Sequence, residues 1–129
     1  MTLRISHLAA VLLLAGCGKD WEPGVKTIES LAPVMKQNRA DCMMLPKSFG
    51  EEANKSSDAL MKMPTVHADS FKDDAKAIKE KFGSRLEVPC TEIVDGAKQC
   101  RADGAPNISG FGQQVIDICK VVKGVSGKL

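Results

Sequence analysis

Aromatic residues are scarce in this chain, which has one Trp, four Phe and no Tyr among 129 residues. A small domain with so few large rings builds only a modest hydrophobic core. The chain also lacks a long hydrophobic run, because its most apolar stretch, residues 8–15, is shorter than the roughly 20 residues that a membrane-spanning helix needs. We therefore expect no membrane-spanning helix, and a core that benefits from covalent cross-links.

Neither sign of charge dominates the sequence. It has 18 Lys and Arg against 16 Asp and Glu, with a formal net charge of +2, and the two signs are interspersed. Nucleic-acid-binding proteins concentrate basic residues on one surface. The sequence therefore argues against a nucleic-acid partner.

Motifs for common cofactors are also missing. No Cys-x-x-Cys pair occurs, which argues against zinc-ribbon, thioredoxin-like and c-type haem proteins. Gly110-Phe111-Gly112 is a fragment of a glycine pattern that lacks the third glycine of a nucleotide-binding loop. We expect neither a cofactor nor a metal.

The N-terminus carries the features of an export signal. Arg4 precedes the apolar residues 8–15 and the small residue Gly16, which is the order of regions in a secretory signal peptide. The next residues matter more, since Leu14-Ala15-Gly16-Cys17 resembles the lipobox of bacterial lipoproteins. The resemblance implies that residues 1–16 are cleaved as a signal peptide and that Cys17 is the site of lipidation.

This resemblance implies a location in the bacterial cell envelope, anchored to a membrane by lipid on Cys17. Two or three acyl chains give lasting attachment, which one chain does not. Gly18 follows Cys17 where an aspartate would favour the inner membrane, so the outer membrane is expected. Residues 17–24 are predicted to be a tether, in which Trp21 either rests among lipid headgroups or packs on the domain.

The other cysteines, Cys42, Cys90, Cys100 and Cys119, are an even number in a small exported domain. An oxidising compartment permits disulfides, and each contributes about 2 to 4 kcal/mol. We predict two disulfides, with connectivity left open.

Hydrophobic periodicity predicts helices along most of the domain. The first is expected to begin near Pro33, after a short helical turn from Val25, and carries the stripe Leu31, Met35, Asn38, Cys42 and Leu45. The second begins with a capping box of Ser48 and Glu51, ends before Pro64, and carries Phe49, Ala53, Ser56, Leu60 and Met63.

The third predicted helix has Asp69 or Ser70 as cap and Gly83 at its end, with the stripe Phe71, Ala75, Ile78 and Phe82. The last follows Asn107 or Ser109 and carries Ile108, Phe111, Val115, Ile118 and Val122. Its β-branched residues leave a strand over residues 115–122 as an alternative. We favour the helix.

Residues 85–103 have two interpretations. A helical stripe of Cys90, Ile93, Ala97 and Cys100 follows Pro89. Alternatively, a β-hairpin around Asp95-Gly96 places Cys90 opposite Cys100 and permits a disulfide between them, which a helix would separate by about 15 Å.

The predicted fold is a mainly α bundle of four or five short helices stabilised by two disulfides, with an α+β form containing the hairpin as the alternative. Residues 25–123 are expected to form one globular domain and residues 124–129 a flexible tail.

Few residues suggest chemistry. His67, Asp69 and Ser70 are adjacent, but a hydrolytic triad requires convergence in space, and no catalytic residue is predicted. Met61, Met63 and His67 contain donors that Cu(I) prefers, which makes a soft-metal carrier, using these residues or unpaired cysteines, the alternative function. The function expected first is a non-enzymatic interaction or assembly module that binds another envelope protein.

Overall fold

The computed structural model describes residues 20–104 and 108–125. Within these ranges the chain forms five α-helices, one short 3-10 turn and no strand, and two cysteine pairs are bonded. The predicted mainly α bundle with two disulfides is therefore confirmed. No helix within these ranges has the length and hydrophobicity needed to cross a membrane. The predictions for the signal peptide, Cys17, Asn107 and residues 126–129 lie outside the described residues.

The first helix, α1, spans Glu22–Asn38 and has a proline in its first turn, where the missing N–H costs nothing. The predicted start near Pro33 is wrong, because α1 continues through this residue. The predicted tether over residues 17–24 is too long, since residues 22–24 are helical. An internal proline costs about 3 kcal/mol. Burial of one apolar side offsets this cost, at Val25, Ile28, Leu31 and Met35.

Trp21 directly precedes α1 and is partly buried against the hydrophobic core. Its carbonyl oxygen accepts a hydrogen bond from the backbone N–H of Val25 at 2.8 Å. Of the two positions considered for this side chain, packing on the domain is the one observed. The folded domain therefore begins close to Cys17.

A 3-10 turn over Cys42–Met44 separates α1 from the second helix, α2, which spans Leu45–Lys55. The predicted capping box at Ser48 is wrong, because α2 has already begun three residues earlier. Pro46 occupies the first turn, where the fixed φ of proline favours the helix.

The predicted second helix is also interrupted. Ser56 separates α2 from a single-turn helix, α3, over Ser57–Leu60. The helical segment ends before Pro64, as predicted from the conformational restriction that a proline places on the preceding residue.

The fourth helix, α4, spans Phe71–Ala102 and is 32 residues long, or about 48 Å at the usual rise. The predicted end at Gly83 is wrong, and so is the expectation of uniformly short helices. The alternative hairpin around Asp95-Gly96 is wrong as well, because both residues lie inside α4.

Packing explains why α4 continues through Gly83 and Pro89. Apolar residues recur every three or four positions on both sides of these residues, so a single continuous stripe faces the core. Burial along this stripe outweighs the cost of the helix-breaking residues. Its buried members include Phe71, Ala75, Ile78, Phe82, Leu86, Cys90, Ile93, Ala97 and Cys100.

The last helix, α5, spans Gly110–Lys123, which confirms the helix favoured over a strand. Ser109 occupies the N-cap position, but its side chain makes no capping hydrogen bond. Gly124 ends the helix in the left-handed conformation with a φ of 67°, as glycine commonly does after a helix. The β-branched residues of α5 remain helical because they bury one apolar side, at Val115, Ile118 and Val122.

The helices α1 and α4 run in the same direction. Arg85 of α4 donates to the carboxylates of Glu22 and Glu29 near the start of α1. Further along both helices, Gly96 lies against Met35, and a Cβ at Gly96 would fall 2.4 Å from the Met35 Cγ. The first half of α4 therefore extends past the N-terminal end of α1.

The helix α5 runs antiparallel to α4. Cys90 is bonded to Cys119, and Glu87, one turn earlier in α4, pairs with Lys123, one turn later in α5. Buried side chains from all five helices join in one hydrophobic cluster.

Candidate functional site

The four predicted disulfide cysteines pair as Cys42 with Cys100 and Cys90 with Cys119. Their Cα atoms are 5.1 and 4.8 Å apart, respectively, as is usual for bonded cysteines. The first bond ties the end of α4 to the turn after α1, and the second ties the middle of α4 to α5. The structure therefore leaves none of these four thiols free to bind a metal.

The residues proposed for a soft-metal site are not brought together. Met63 is 4% exposed, and a Cβ at Gly24 would fall 2.4 Å from its Sδ, which places the thioether against α1. Met61 is 70% exposed. Within the described residues, no group of three or more His, Cys, Asp and Glu is arranged to hold a metal ion.

The adjacent residues His67, Asp69 and Ser70 do not form a triad. The hydroxyl of Ser70 donates to Asp74 at 3.0 Å, within the first turn of α4. His67 is exposed and lies instead on the edge of a cleft.

This cleft has a volume of about 490 Å³ and lies between the turn after α3 and the N-terminal half of α5. Its surface is mainly apolar. Val66 on one wall is 50% exposed, while Ile108 and Phe111 on the other are partly buried against the core. The lining residues are Thr65, Val66, His67, Ile108, Ser109, Gly110, Phe111, Gln113, Gln114 and Asp117.

One wall of the cleft is held in place by Gln114 of α5. Its side-chain amide donates to the carbonyl oxygens of Leu60, Met63 and Pro64 at 2.8, 3.1 and 3.1 Å. Gln114 is 8% exposed, so these hydrogen bonds are shielded from water. Because the three acceptors belong to the end of α3 and the following turn, a single buried side chain positions the wall that carries Val66.

The other wall depends on two glycines at the start of α5. Gly110 has a φ of 62°, a conformation that side chains rarely adopt. At Gly112 a Cβ would fall 2.7 Å from Ile108 Cγ2 and 3.5 Å from the backbone of Gly50. The absence of a side chain at Gly112 therefore leaves room for Ile108, whereas the distance to α2 is one of ordinary van der Waals contact.

The polar groups at the rim bind one another. The amide of Gln113 donates to Asp117 at 2.9 Å, one turn along α5. Together with the imidazole of His67, this pair gives an apolar cleft a polar margin. Such a combination suits recognition of an apolar group with hydrogen bonds around it.

Sequence reasoning missed Gln114, although a signal was present. Gln114 lies three residues after Phe111 and four before Ile118, so it falls on the apolar side of the predicted helix. A polar residue in such a stripe is buried with its hydrogen bonds satisfied. The role of Gly112 carried no comparable signal, because its close contact with Ile108 is visible only in three dimensions.

Comparisons with known proteins give no relative: no family model, no curated protein and no solved structure matches this chain.

Proposed function

We propose that this protein is a lipid-anchored lipoprotein of the bacterial envelope that acts without enzymatic activity, binding an apolar segment of another envelope protein in the cleft beside α5. The observation that carries the proposal is the cleft itself, an apolar depression with a polar rim. An outer-membrane location is part of the proposal, supported by Gly18 after the lipobox cysteine.

The shape of the cleft favours a protein segment over a small molecule. Sites for small ligands enclose most of the ligand surface, whereas this cleft is broad and open to solvent. The exposed valine on its wall offers apolar contact area, and partner proteins bind through such groups when they are surrounded by polar residues.

The polar side chains of the cleft also support binding over catalysis. Gln113 is hydrogen-bonded to Asp117, and Gln114 is committed to three backbone carbonyls. Groups engaged in this way position the walls.

Site-specific photocrosslinking in cells tests the proposal. A photoreactive amino acid at Val66 should cross-link to a discrete envelope protein. The same amino acid at Val88, which is 76% exposed on α4 and does not line the cleft, is the matched control. Identical products from both positions, or none from Val66, would contradict a docking cleft.

Two further measurements complete the test. Val66→Asp should abolish recovery of the cross-linked protein, because burying an unpaired carboxylate in an apolar interface is costly, whereas Val88→Asp should not. Mass spectrometry of the N-terminal peptide should find lipid on Cys17. An unmodified Cys17 would overturn the anchoring.

A further inference from the structure

Three lysines form a row on the first half of α4. Lys72, Lys76 and Lys79 are separated by four and three residues, so they lie on one side of the helix. All three are exposed. With Glu80 and with Val121 of α5 they line an open groove of about 640 Å³.

The row lies on the same side of α4 as the surface that α5 covers in the second half of that helix. Lys72 and Cys90 are separated by five full helical turns, and Cys90 is bonded to α5. Because α5 ends at Lys123, α5 does not extend over this side of the first half of α4. Within the described residues, none of the three lysines has a hydrogen bond or ion pair.

Two cations further along these helices, Arg85 and Lys123, are in contrast paired. Arg85 is hydrogen-bonded to both Glu29 and Glu22. These bonds raise the pKa of Arg85, and the bond to Glu29 has the larger effect. Lys123 pairs with Glu87. The row is thus a group of exposed cations without ion-pair partners in the described residues, with Asp73 beside it on α4 and Glu80 in its groove.

The position of the row relative to the lipid anchor indicates its partner. Since α1 and α4 are parallel and Arg85 lies between Glu22 and Glu29, the row extends past the start of α1 by up to roughly 14 Å. The chain from Cys17 to Trp21 spans at most about 14 Å. A lipid on Cys17 is therefore within reach of the level of the row.

We propose that Lys72, Lys76 and Lys79 hold the domain against anionic phospholipid headgroups of the membrane to which Cys17 is attached. This inference rests on the proposed lipid anchor. It gives the anchored domain a fixed orientation, with the first half of α4 on the membrane.

The test uses the mature protein purified from bacterial membranes and reconstituted with vesicles of phosphatidylcholine alone or mixed with phosphatidylglycerol, which are recovered by flotation. A water-soluble acetylating reagent modifies exposed lysines, and peptide mass spectrometry gives the rate at each position. Lys36 and Lys98 are the controls, because both are exposed and lie on the parts of α1 and α4 that point away from the row.

Each lysine at an anionic membrane surface shifts the equilibrium towards the bound orientation by about fivefold, so three lysines favour that orientation roughly 100-fold. We therefore expect acetylation of the row to slow by at least about tenfold on anionic vesicles, while the controls keep their rates. Added salt should remove the difference, because it screens exposed charges.

Equal rates on both vesicle types would overturn the inference and leave the lipid anchor intact. Failure of the protein to float with any vesicle would overturn the anchor and the inference together. Protection of the row in native membranes but not on phosphatidylglycerol vesicles would also overturn it, and would identify an acidic protein as the partner.

Discussion

Replacing Gln114 should loosen the cleft by removing the hydrogen bonds that hold the turn after α3. We expect Gln114→Met, which keeps most of the shape of the side chain, to lower the free energy of unfolding by roughly 2–4 kcal/mol. The amide has two hydrogens shared among three carbonyls, and each buried group left without its partner costs about 1–3 kcal/mol. The Leu60 carbonyl also accepts from the Met63 N–H, so the larger loss falls on Met63 and Pro64.

Gln114→Glu distinguishes hydrogen bonding from packing through its pH dependence. A carboxylate would face the three carbonyl oxygens, so burial and these dipoles raise the pKa of Glu in the folded state above its ordinary value of about 4.3. A raised carboxyl pKa destabilises the folded state above the unfolded pKa. The Glu variant should therefore be less stable than the Met variant at neutral pH, and the part of this difference that comes from ionisation should disappear below pH about 4.3.

Denaturant unfolding with the disulfides intact measures both effects, followed by helical circular dichroism and by fluorescence of Trp21, the only Trp in the chain. Gln113→Met is the matched control. It removes a partly buried amide that bonds only Asp117 among the described residues, and the expected cost is below about 1 kcal/mol. Equal losses for the Met variants at positions 113 and 114 would refute the role assigned to Gln114.

Three other variants test the continuity of α4, its packing on α1 and its disulfide to the turn after α1. Gly83→Ala should raise the free energy of unfolding by about 0.5–1 kcal/mol, because a Cβ there meets nothing within 4 Å, and a loss would mean that the helix ends at this residue. Gly96→Ala should lower the free energy of unfolding by about 1–3 kcal/mol, although Ala favours a helix more than Gly does, because a Cβ would fall 2.4 Å from the buried side chain of Met35. An increase would show that α1 does not contact α4 at this position. Replacing Cys42 and Cys100 together with Ser should cost about 4 kcal/mol for a closed loop of 58 residues. Non-reducing peptide mapping that links Cys100 to Cys90 instead would contradict the fold.

The helical class was predictable because apolar residues recur at helical spacing in nearly every segment. The helix boundaries were less predictable, because Pro33, Gly83 and Pro89 each have a strong local preference for ending a helix. Each lies inside a helix in the structure. A local signal of about 1–3 kcal/mol is outweighed where the apolar stripe on both sides of the residue remains in phase and faces one core.

For α4, the decisive signal was therefore that apolar residues keep the same helical spacing before and after a helix-breaking residue. Phe82, Leu86, Cys90 and Ile93 keep helical spacing through Pro89, whereas a hairpin would have required alternation with period two. The disulfide partners were not predictable in the same way. Cys42 meets Cys100 only because α1 and α4 are parallel, which depends on contacts between distant segments.

The candidate site follows from how this small core is stabilised. Disulfides fix the ends of α1 and α5 to α4, but neither bond reaches residues 61–70, which carry Val66 and His67. That segment is attached through buried Met63 and Pro64 and through the amide of Gln114. One wall of the cleft is thus tied to the bundle by a disulfide, and the other is held by hydrogen bonds and two buried apolar side chains. A partner that bridges the two walls would add its own contacts to the weaker attachment, so binding in this cleft and stability of the turn are thermodynamically linked.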